Sequence, residues 1–160
     1  MKKNSKYRIA IVISKFNNKI SNYLYEGAVS EFKQNGRKIN QITTHSVPGA
    51  FEIPGTVMQL VKHDDKIDGI LTLGSVIKGE TAHFDYISSS VTQSLSHISI
   101  YSNIPIIFGI LTTYTYEEAF ERAHPLKKNK GGEVMSTLLK TMETYNKIKN
   151  KWFWNYGLKS

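Results

Sequence analysis

Residues 74–86 (GSVIKGETAHFDY) combine side chains and backbone groups that bind anions and transfer protons. An apolar run typical of a buried strand, residues 69–73, precedes them, and a segment typical of a helix, about 84–102, follows them. The amides of residues 79–81 should therefore lie near a helix N-terminus, a ready site for an anion, and His83 can exchange protons near neutral pH. These features suggest chemistry on a small phosphorylated molecule, although an ordinary turn with a surface histidine explains the same residues.

Two further turns are predicted at the same edge, because open α/β sheets bind ligands at the carboxyl ends of their strands. The first turn, residues 15–20, contains Phe16, which is either a stacking platform for a flat heterocycle or an aromatic folded onto the core. The second turn, residues 48–54 (PGAFEIP), offers backbone groups and a carboxylate to a polyol or a ring. A purely structural turn between two prolines explains it equally well.

A basic segment near the C-terminus supplies candidate phosphate ligands. Arg122 is followed by Lys127, Lys128 and Lys130, and arginine binds phosphate through two parallel hydrogen bonds. A solvated basic loop is the usual explanation of such a run. The five histidines show no metal-ligand spacing, and the chain has no cysteine, so thiolate zinc sites and cysteine nucleophiles are excluded.

The hydrophobic pattern predicts the order β-α-β-α-β-α-β-α-α. Apolar strands in this alternation indicate an α/β protein with a four-stranded parallel sheet and helices on both faces. A capping box, Thr115 with Glu118, predicts the start of the fourth helix, and Pro125 ends it. The predicted strands are 8–14, 39–47, 68–74 and 104–111. The predicted helices run from Ser21 or Asn22 to about 35, from 54 to about 63, from 84 to 102, from 115 to about 123 and from 133 to 149.

Length and charge predict one domain spanning residues 1–160, with basic terminal extensions at 1–7 and at about 150–160. The formal net charge is +8; residues 1–8 carry +4 and residues 127–160 carry +6, so residues 9–126 carry −2. The segment 149–154, which mixes lysines with aromatic residues, could bind nucleic acid, but a packed or frayed tail explains it better. We expect no membrane segment and a cytoplasmic location.

Five segments together resemble one enzyme family. RIAIVISKFN, VPGAFEIP, LGSVIKGETAHFDY, IPIIFGILTT and EEAFERA with the following NKG stand in the order and spacing of lumazine synthases. The resemblance implies a flavodoxin-like three-layer fold and membership of riboflavin biosynthesis. It implies the condensation of 5-amino-6-(D-ribitylamino)uracil with 3,4-dihydroxy-2-butanone 4-phosphate, releasing phosphate and water, with neither metal nor organic cofactor.

The resemblance also assigns roles to residues of the chain. His83 matches the residue that transfers protons, and Arg122 matches a phosphate ligand supplied by the neighbouring subunit. Glu80 and Thr81 match the turn that binds the butanone phosphate. The positions matching the aminouracil site are Phe16, Ala50, Phe51, Glu52, Ser75, Val76 and Ile77, with Phe108 and Lys130 from the neighbouring subunit.

The implied assembly is a homo-oligomer of pentamers, often a shell of twelve pentamers, with riboflavin synthase as a candidate partner. The chain departs from the usual family pattern at Glu80, which replaces a small residue, at Tyr114, which replaces an acidic one, at residues 124–128, where Leu126 replaces a common lysine, and in a longer tail at 149–160. We expect the Glu80 side chain to turn away from the anion site, toward Lys127, Lys128 or Lys78. A scaffold protein that keeps the fold without activity is the rival hypothesis, and the presence of Phe16, His83, Arg122 and Lys130 argues against it.

Overall fold

The computed structural model describes the backbone of residues 7–156 and the side chains of residues 7–151. It contains the predicted alternation of strands and helices, with two additional short 3₁₀ turns at Ile39–Gln41 and Ala50–Glu52. The strands are β1 (Ile9–Ser14), β2 (Ile42–Val47), β3 (Gly69–Ile77) and β4 (Ile106–Thr113). The helices are α1 (Asn18–Gln34), α2 (Ile53–His63), α3 (His83–Tyr101), α4 (Tyr116–Ala123) and α5 (Lys130–Tyr156).

The four strands form one parallel sheet in the order β2-β1-β3-β4. All six residues of β1 are buried, as expected for a central strand covered on both faces. Since every strand runs in the same direction, the turns that follow the four strands emerge at one edge. The predicted three-layer, flavodoxin-like α/β fold is confirmed.

Two hydrophobic layers cover the two faces of the sheet. Alternate side chains along each strand point to opposite faces, so each layer receives every second residue. Ile11 and Leu73 face one layer, built from α1, α4 and α5. Val12 and Ile70 face the other layer, built from α2 and α3. The predicted core stripe of α1 is confirmed, because Leu24, Ala28 and Phe32 are fully buried.

The start of α1 was predicted wrongly. The helix begins at Asn18 rather than after Ser21 or Asn22, because the amides of Ile20 and Ser21 already donate to the carbonyl of Asn17, at N···O distances of 2.9 and 3.2 Å. Asn17 has a left-handed backbone with φ 56°. The predicted end is confirmed, with Gly36 at φ 73° stopping the helix.

The predicted ends of three strands also need correction. The third strand continues from Gly74 to Ile77 because residues 75–77 pair with Leu111–Thr113 of β4. Strand β4 therefore ends two residues later than predicted, and it also begins two residues later, at Ile106. The turn before α3 is therefore confined to residues 78–82. The first three residues of the predicted second strand instead form the Ile39–Gln41 turn, in which the Gln41 amide donates to the Lys38 carbonyl.

Helix α5 extends beyond both of its predicted ends. It starts at Lys130 because Asn129 (φ 44°) accepts hydrogen bonds from the Gly132 amide through Oδ1 and from the Glu133 amide through its carbonyl. It continues to Tyr156, so the predicted basic extension at 150–160 begins inside a helix. Lys149 Nζ donates to the Asn103 carbonyl at 3.0 Å. Residues 1–6 and 157–160, which complete the two predicted extensions, lie outside the described residues.

Close packing of α1 on α5 generates a stability prediction. A Cβ atom at Gly131 would lie 2.0 Å from the Leu24 carbonyl oxygen, whereas one at Gly55, on α2, would meet nothing within 4 Å. Gly131→Ala should lower the free energy of unfolding by about 1–3 kcal/mol through overpacking. Gly55→Ala should raise it by about 0.5–1 kcal/mol, because alanine favours the helix. Thermal unfolding of both variants beside the parent chain measures this, and equal midpoints for the two variants would contradict it.

Candidate active site

Backbone hydrogen bonds beyond the strand ends join the turns in pairs. The amides of Lys15 and Phe16 donate to the carbonyls of Val47 and Pro48, at N···O distances of 2.8 and 2.9 Å, so the first turn lies beside the second. At the other side of the sheet, the Lys78 amide donates to the Thr113 carbonyl at 2.9 Å. The predicted gathering of turns at the carboxyl edge is therefore confirmed.

Phe16 lies at the tip of the first turn and is 70% exposed, so it is not folded onto the core. Its position depends on Asn17, whose left-handed backbone ends the turn and whose side-chain amide donates to the Ser75 carbonyl at 3.5 Å. Asn17 was missed at the sequence level. The available signal was its residue type, because asparagine adopts left-handed backbone conformations more readily than other residues with a side chain.

The second turn presents one aromatic ring and closes with a carboxylate. Ala50 is buried, whereas Phe51 is 59% exposed and Glu52 is also exposed. Glu52 Oε2 accepts a hydrogen bond from the Gly49 amide at 2.8 Å, which fixes the turn before α2. Pro54 lies in the first turn of that helix, as predicted. The turn therefore combines structural closure with two exposed side chains.

The end of β3 runs beside these two turns. Ser75 is buried and its hydroxyl has no hydrogen-bond partner within the described residues, while Val76 and Ile77 are half-buried. A Cβ atom at Gly74 would lie 2.5 Å from Ser14 Oγ, so only glycine fits between the ends of β1 and β3. Ser75–Ile77 thus form a strand segment that leads directly into the turn 78–82.

The turn 78–82 has open backbone amides and an exposed histidine. Within the described residues, no protein acceptor binds the amides of Gly79, Glu80 or Thr81. Thr81 Oγ1 accepts from the amide of His83, the first residue of α3, at 3.4 Å. Gly79, Glu80, Thr81 and His83 are all exposed. This arrangement matches the predicted anion site at a helix N-terminus next to a proton-transfer group.

Three of the predicted site residues lie elsewhere in the chain. Phe108 pairs with Thr72, three residues before the Leu111–Ser75 pair, so it lies about 10 Å back along the strands from Ser75. It is 38% exposed and lines a groove against α3. Arg122 and Lys130 belong to helices α4 and α5, on the opposite face of the sheet from the second turn.

The basic residues near α4 are already engaged. Arg122 Nη1 donates to the Glu118 carbonyl at 3.1 Å, and Lys130 Nζ forms an ion pair with Glu133 Oε1 at 2.6 Å. Lys127 Nζ forms an ion pair with Glu121, and its hydrogen bond lowers the pKa of the Glu121 carboxyl. Within the described residues Glu80 forms no ion pair with Lys127, Lys128 or Lys78, so its orientation toward one of them stays a prediction.

Comparison with known proteins places this site in a family. The family model for 6,7-dimethyl-8-ribityllumazine synthase matches residues 6–146, which include every predicted site residue. The chain belongs to the lumazine synthase family. Relatives named 6,7-dimethyl-8-ribityllumazine synthase include those of Nautilia profundicola (41% identity, covering 88% of this chain and 91% of the relative) and Campylobacter lari (41%, covering 89% and 90%). The relative from Campylobacter jejuni subsp. doylei is also 41% identical, and the match covers 86% of this chain and 89% of the relative.

Membership of the lumazine synthase family confirms the resemblance inferred from the five sequence segments. It is a family of transferases in riboflavin biosynthesis. Among residues 7–156, none of the helices has the length and apolar character needed to cross a membrane. Within the same part of the chain, no three His, Cys, Asp or Glu side chains cluster as metal ligands.

The ion pair beside α4 gives a pH-dependent prediction. Because Lys127 lowers the pKa of Glu121 from its usual value near 4.5, the pair stabilises the fold above that value, and the gain is lost as the pH falls through the folded-state pKa. Lys127→Met should therefore lower the melting temperature slightly at neutral pH and have no effect well below about pH 4. Thermal unfolding of both chains across this range measures the difference. A difference that grows as the pH falls would contradict the assignment.

Proposed function

We propose that this chain condenses 5-amino-6-(D-ribitylamino)uracil with 3,4-dihydroxy-2-butanone 4-phosphate to give 6,7-dimethyl-8-ribityllumazine, phosphate and water. The observation that carries the proposal is the gathering of exposed Phe16, exposed His83 and the open amides of residues 79–81 at one edge of the sheet. This set supplies a surface for a flat ring, a proton carrier and an anion site. Family membership supplies the two substrates.

The aminouracil would lie across the first two turns. Its ring stacks on Phe16, whose exposed face is unobstructed by the core. Its ribityl chain carries hydroxyl groups, which suit the backbone groups of residues 75–77 and the carboxylate of Glu52. Residues Ala50 and Phe51 complete the wall of this subsite.

The butanone phosphate would lie at the start of α3. The amides of Gly79, Glu80 and Thr81 have no protein acceptor within the described residues and directly precede the N-terminus of α3, where the helix dipole favours negative charge. The Thr81 hydroxyl adds a further hydrogen-bonding group. A carboxylate facing the phosphate would oppose binding, so we propose that the Glu80 side chain turns toward solvent, where it is exposed.

The reaction needs positioning and proton transfer more than a strong nucleophile. The primary amine of the uracil attacks the ketone carbon, and loss of water forms an imine. Phosphate then leaves by elimination as a proton is removed from the hydroxyl-bearing carbon, and the resulting enol becomes a ketone. Attack of the ribitylamino nitrogen on that carbonyl carbon, with loss of a second water, closes the ring. We propose that His83, the first residue of α3 and two residues after Thr81, moves these protons.

The full site would be divided between two subunits. Phe108, Arg122 and Lys130 do not meet Phe16 within one chain, so we propose that a neighbouring copy supplies them. Phe108 and Lys130 would contact the aminouracil, and Arg122 would release its helix carbonyl to bind the phosphate. The oligomer is then built of pentamers, with a shell of twelve pentamers as its complete form. A cytoplasmic location and association with riboflavin synthase follow from the same assignment.

Turnover of the two substrates tests this function. The parent chain should produce the lumazine chromophore when both substrates are present and should produce none when either is omitted. His83→Ala should lower the turnover number by about ten- to a thousandfold, at or below the usual contribution of an acid–base group, because imine formation proceeds slowly unaided. His63→Ala, a control at the exposed end of α2, should leave it unchanged.

Two results would contradict the proposal. A parent chain that binds neither substrate and forms no chromophore is not this enzyme. Unchanged turnover in His83→Ala, with the His63 control equally active, would reduce His83 to a structural residue and leave the assigned proton carrier wrong.

A further inference from the structure

Tyr114 lies beside the proposed phosphate site without belonging to the predicted set of ligands. Its ring is 68% exposed, so burial does not explain its position. The ring lies 6.1 Å, between centroids, from the ring of Phe84, the second residue of α3. Lys78 Nζ lies 5.3 Å from the centroid of the Tyr114 ring. Tyr114 is therefore close to the first residue of the turn 78–82 and to the second residue of the helix that follows it.

The backbone of Tyr114 is fixed by α4. Its amide donates to Glu118 Oε2 at 2.9 Å, while the Glu118 amide donates to Thr115 Oγ1 at 3.1 Å. The two residues of the predicted capping box, Thr115 and Glu118, are thus confirmed. The Glu118 carboxylate, however, accepts its hydrogen bond from the amide of Tyr114. The preceding carbonyl, that of Thr113, accepts from the Lys78 amide at 2.9 Å. Consequently Tyr114 and Lys78 are held next to each other by main-chain bonds as well as by their side chains.

Contact with an aromatic face has a different electrostatic effect from an ion pair. The ring quadrupole attracts the ammonium group and restricts its position, but the ring carries no net charge to cancel it. Lys127 and Lys130, in contrast, are paired with the carboxylates of Glu121 and Glu133. Within the described residues, Lys78 forms no ion pair. Its positive charge therefore stays unneutralised, on the residue that directly precedes the amides of residues 79–81.

We propose that Tyr114 is a positioning residue that holds the Lys78 ammonium beside the anion-binding turn without neutralising it, and thereby raises affinity for the phosphorylated substrate. The inference rests on the proposed function for the identity of that substrate. It assigns Lys78 an electrostatic role in phosphate binding and gives Tyr114 an indirect one. Neither residue takes part in proton transfer, so the effect should fall on substrate affinity rather than on turnover.

Kinetics with saturating aminouracil, together with calorimetric binding of inorganic phosphate, test the proposal. Tyr114→Ala should raise the KM for butanone phosphate and the Kd for inorganic phosphate about two- to fivefold, the range expected for an exposed cation–aromatic contact. Tyr114→Phe keeps the ring face and should change both by less than about twofold. The turnover number and the KM for the aminouracil should stay within about twofold of the parent values in both variants.

A double-mutant cycle connects the effect to Lys78. Lys78→Met should weaken phosphate binding at least as much as Tyr114→Ala, and the two changes together should weaken it no further than Lys78→Met alone. Lys66→Met removes the same charge from the turn after α2 and serves as the matched control, with no expected effect. Tyr114→Glu should weaken phosphate binding most, by about tenfold, because the carboxylate would neutralise Lys78 and repel the phosphate.

The outcomes separate this inference from the proposed function. Unchanged phosphate affinity in Tyr114→Ala, or fully additive effects in the double variant, would overturn the inference while an active parent chain upholds the function. An inactive parent chain that still binds phosphate, with the predicted ranking of variants, would support the role of Tyr114 and overturn the substrate assignment. A fall in turnover in Tyr114→Phe with unchanged phosphate affinity would also overturn the inference, since that variant retains the ring.

Discussion

Parallel pairing of the four strands is the constraint on which the rest of the structure depends. It makes the chain leave the sheet at the same edge four times, so residues far apart in sequence meet there without any long connection. The pairing of residues 75–77 with Leu111–Thr113 carries β3 to the first residue of the turn 78–82. Hydrogen bonds from Lys15, Phe16 and Lys78 to neighbouring strands then fix the turns themselves. The site is therefore as rigid at its base as the sheet, while its ligand-facing side chains remain exposed.

The same architecture keeps three of the predicted site residues apart from the others within one chain. Helices α2 and α3 cover one face of the sheet, and α1, α4 and α5 cover the other, so Arg122 and Lys130 are kept away from the second turn. Phe108 faces a groove against α3 rather than Phe16. Both Arg122 and Lys130 are meanwhile bonded to neighbours within the chain. We propose that a second copy presents these residues to the edge, which would make assembly a condition of catalysis.

Periodicity and motif spacing predicted the element order, the parallel sheet and the carboxyl-edge site, because buried strands and capped helices leave strong local patterns. Element ends were harder to predict where a tertiary contact determines them. Asn17 starts α1 through a left-handed backbone, although Ser21 or Asn22 was the predicted cap, and Asn129 starts α5 in the same way. Ser75–Ile77 belong to β3 only because β4 pairs with them. The engagement of Lys127 by Glu121, rather than by Glu80, likewise depends on spatial proximity that no spacing rule contains.

Division of the site between subunits is the central claim. Mixed assemblies of two variants that have low activity alone test it. His83→Ala and Arg122→Ala chains, each with low activity alone, are co-expressed in equal amounts and purified as one oligomer. If His83 and Arg122 of one site come from different subunits, about a quarter of the sites in a random mixture regain both residues, and activity rises to about that fraction of the parent value. A mixed oligomer no more active than the average of the two single variants would contradict the account.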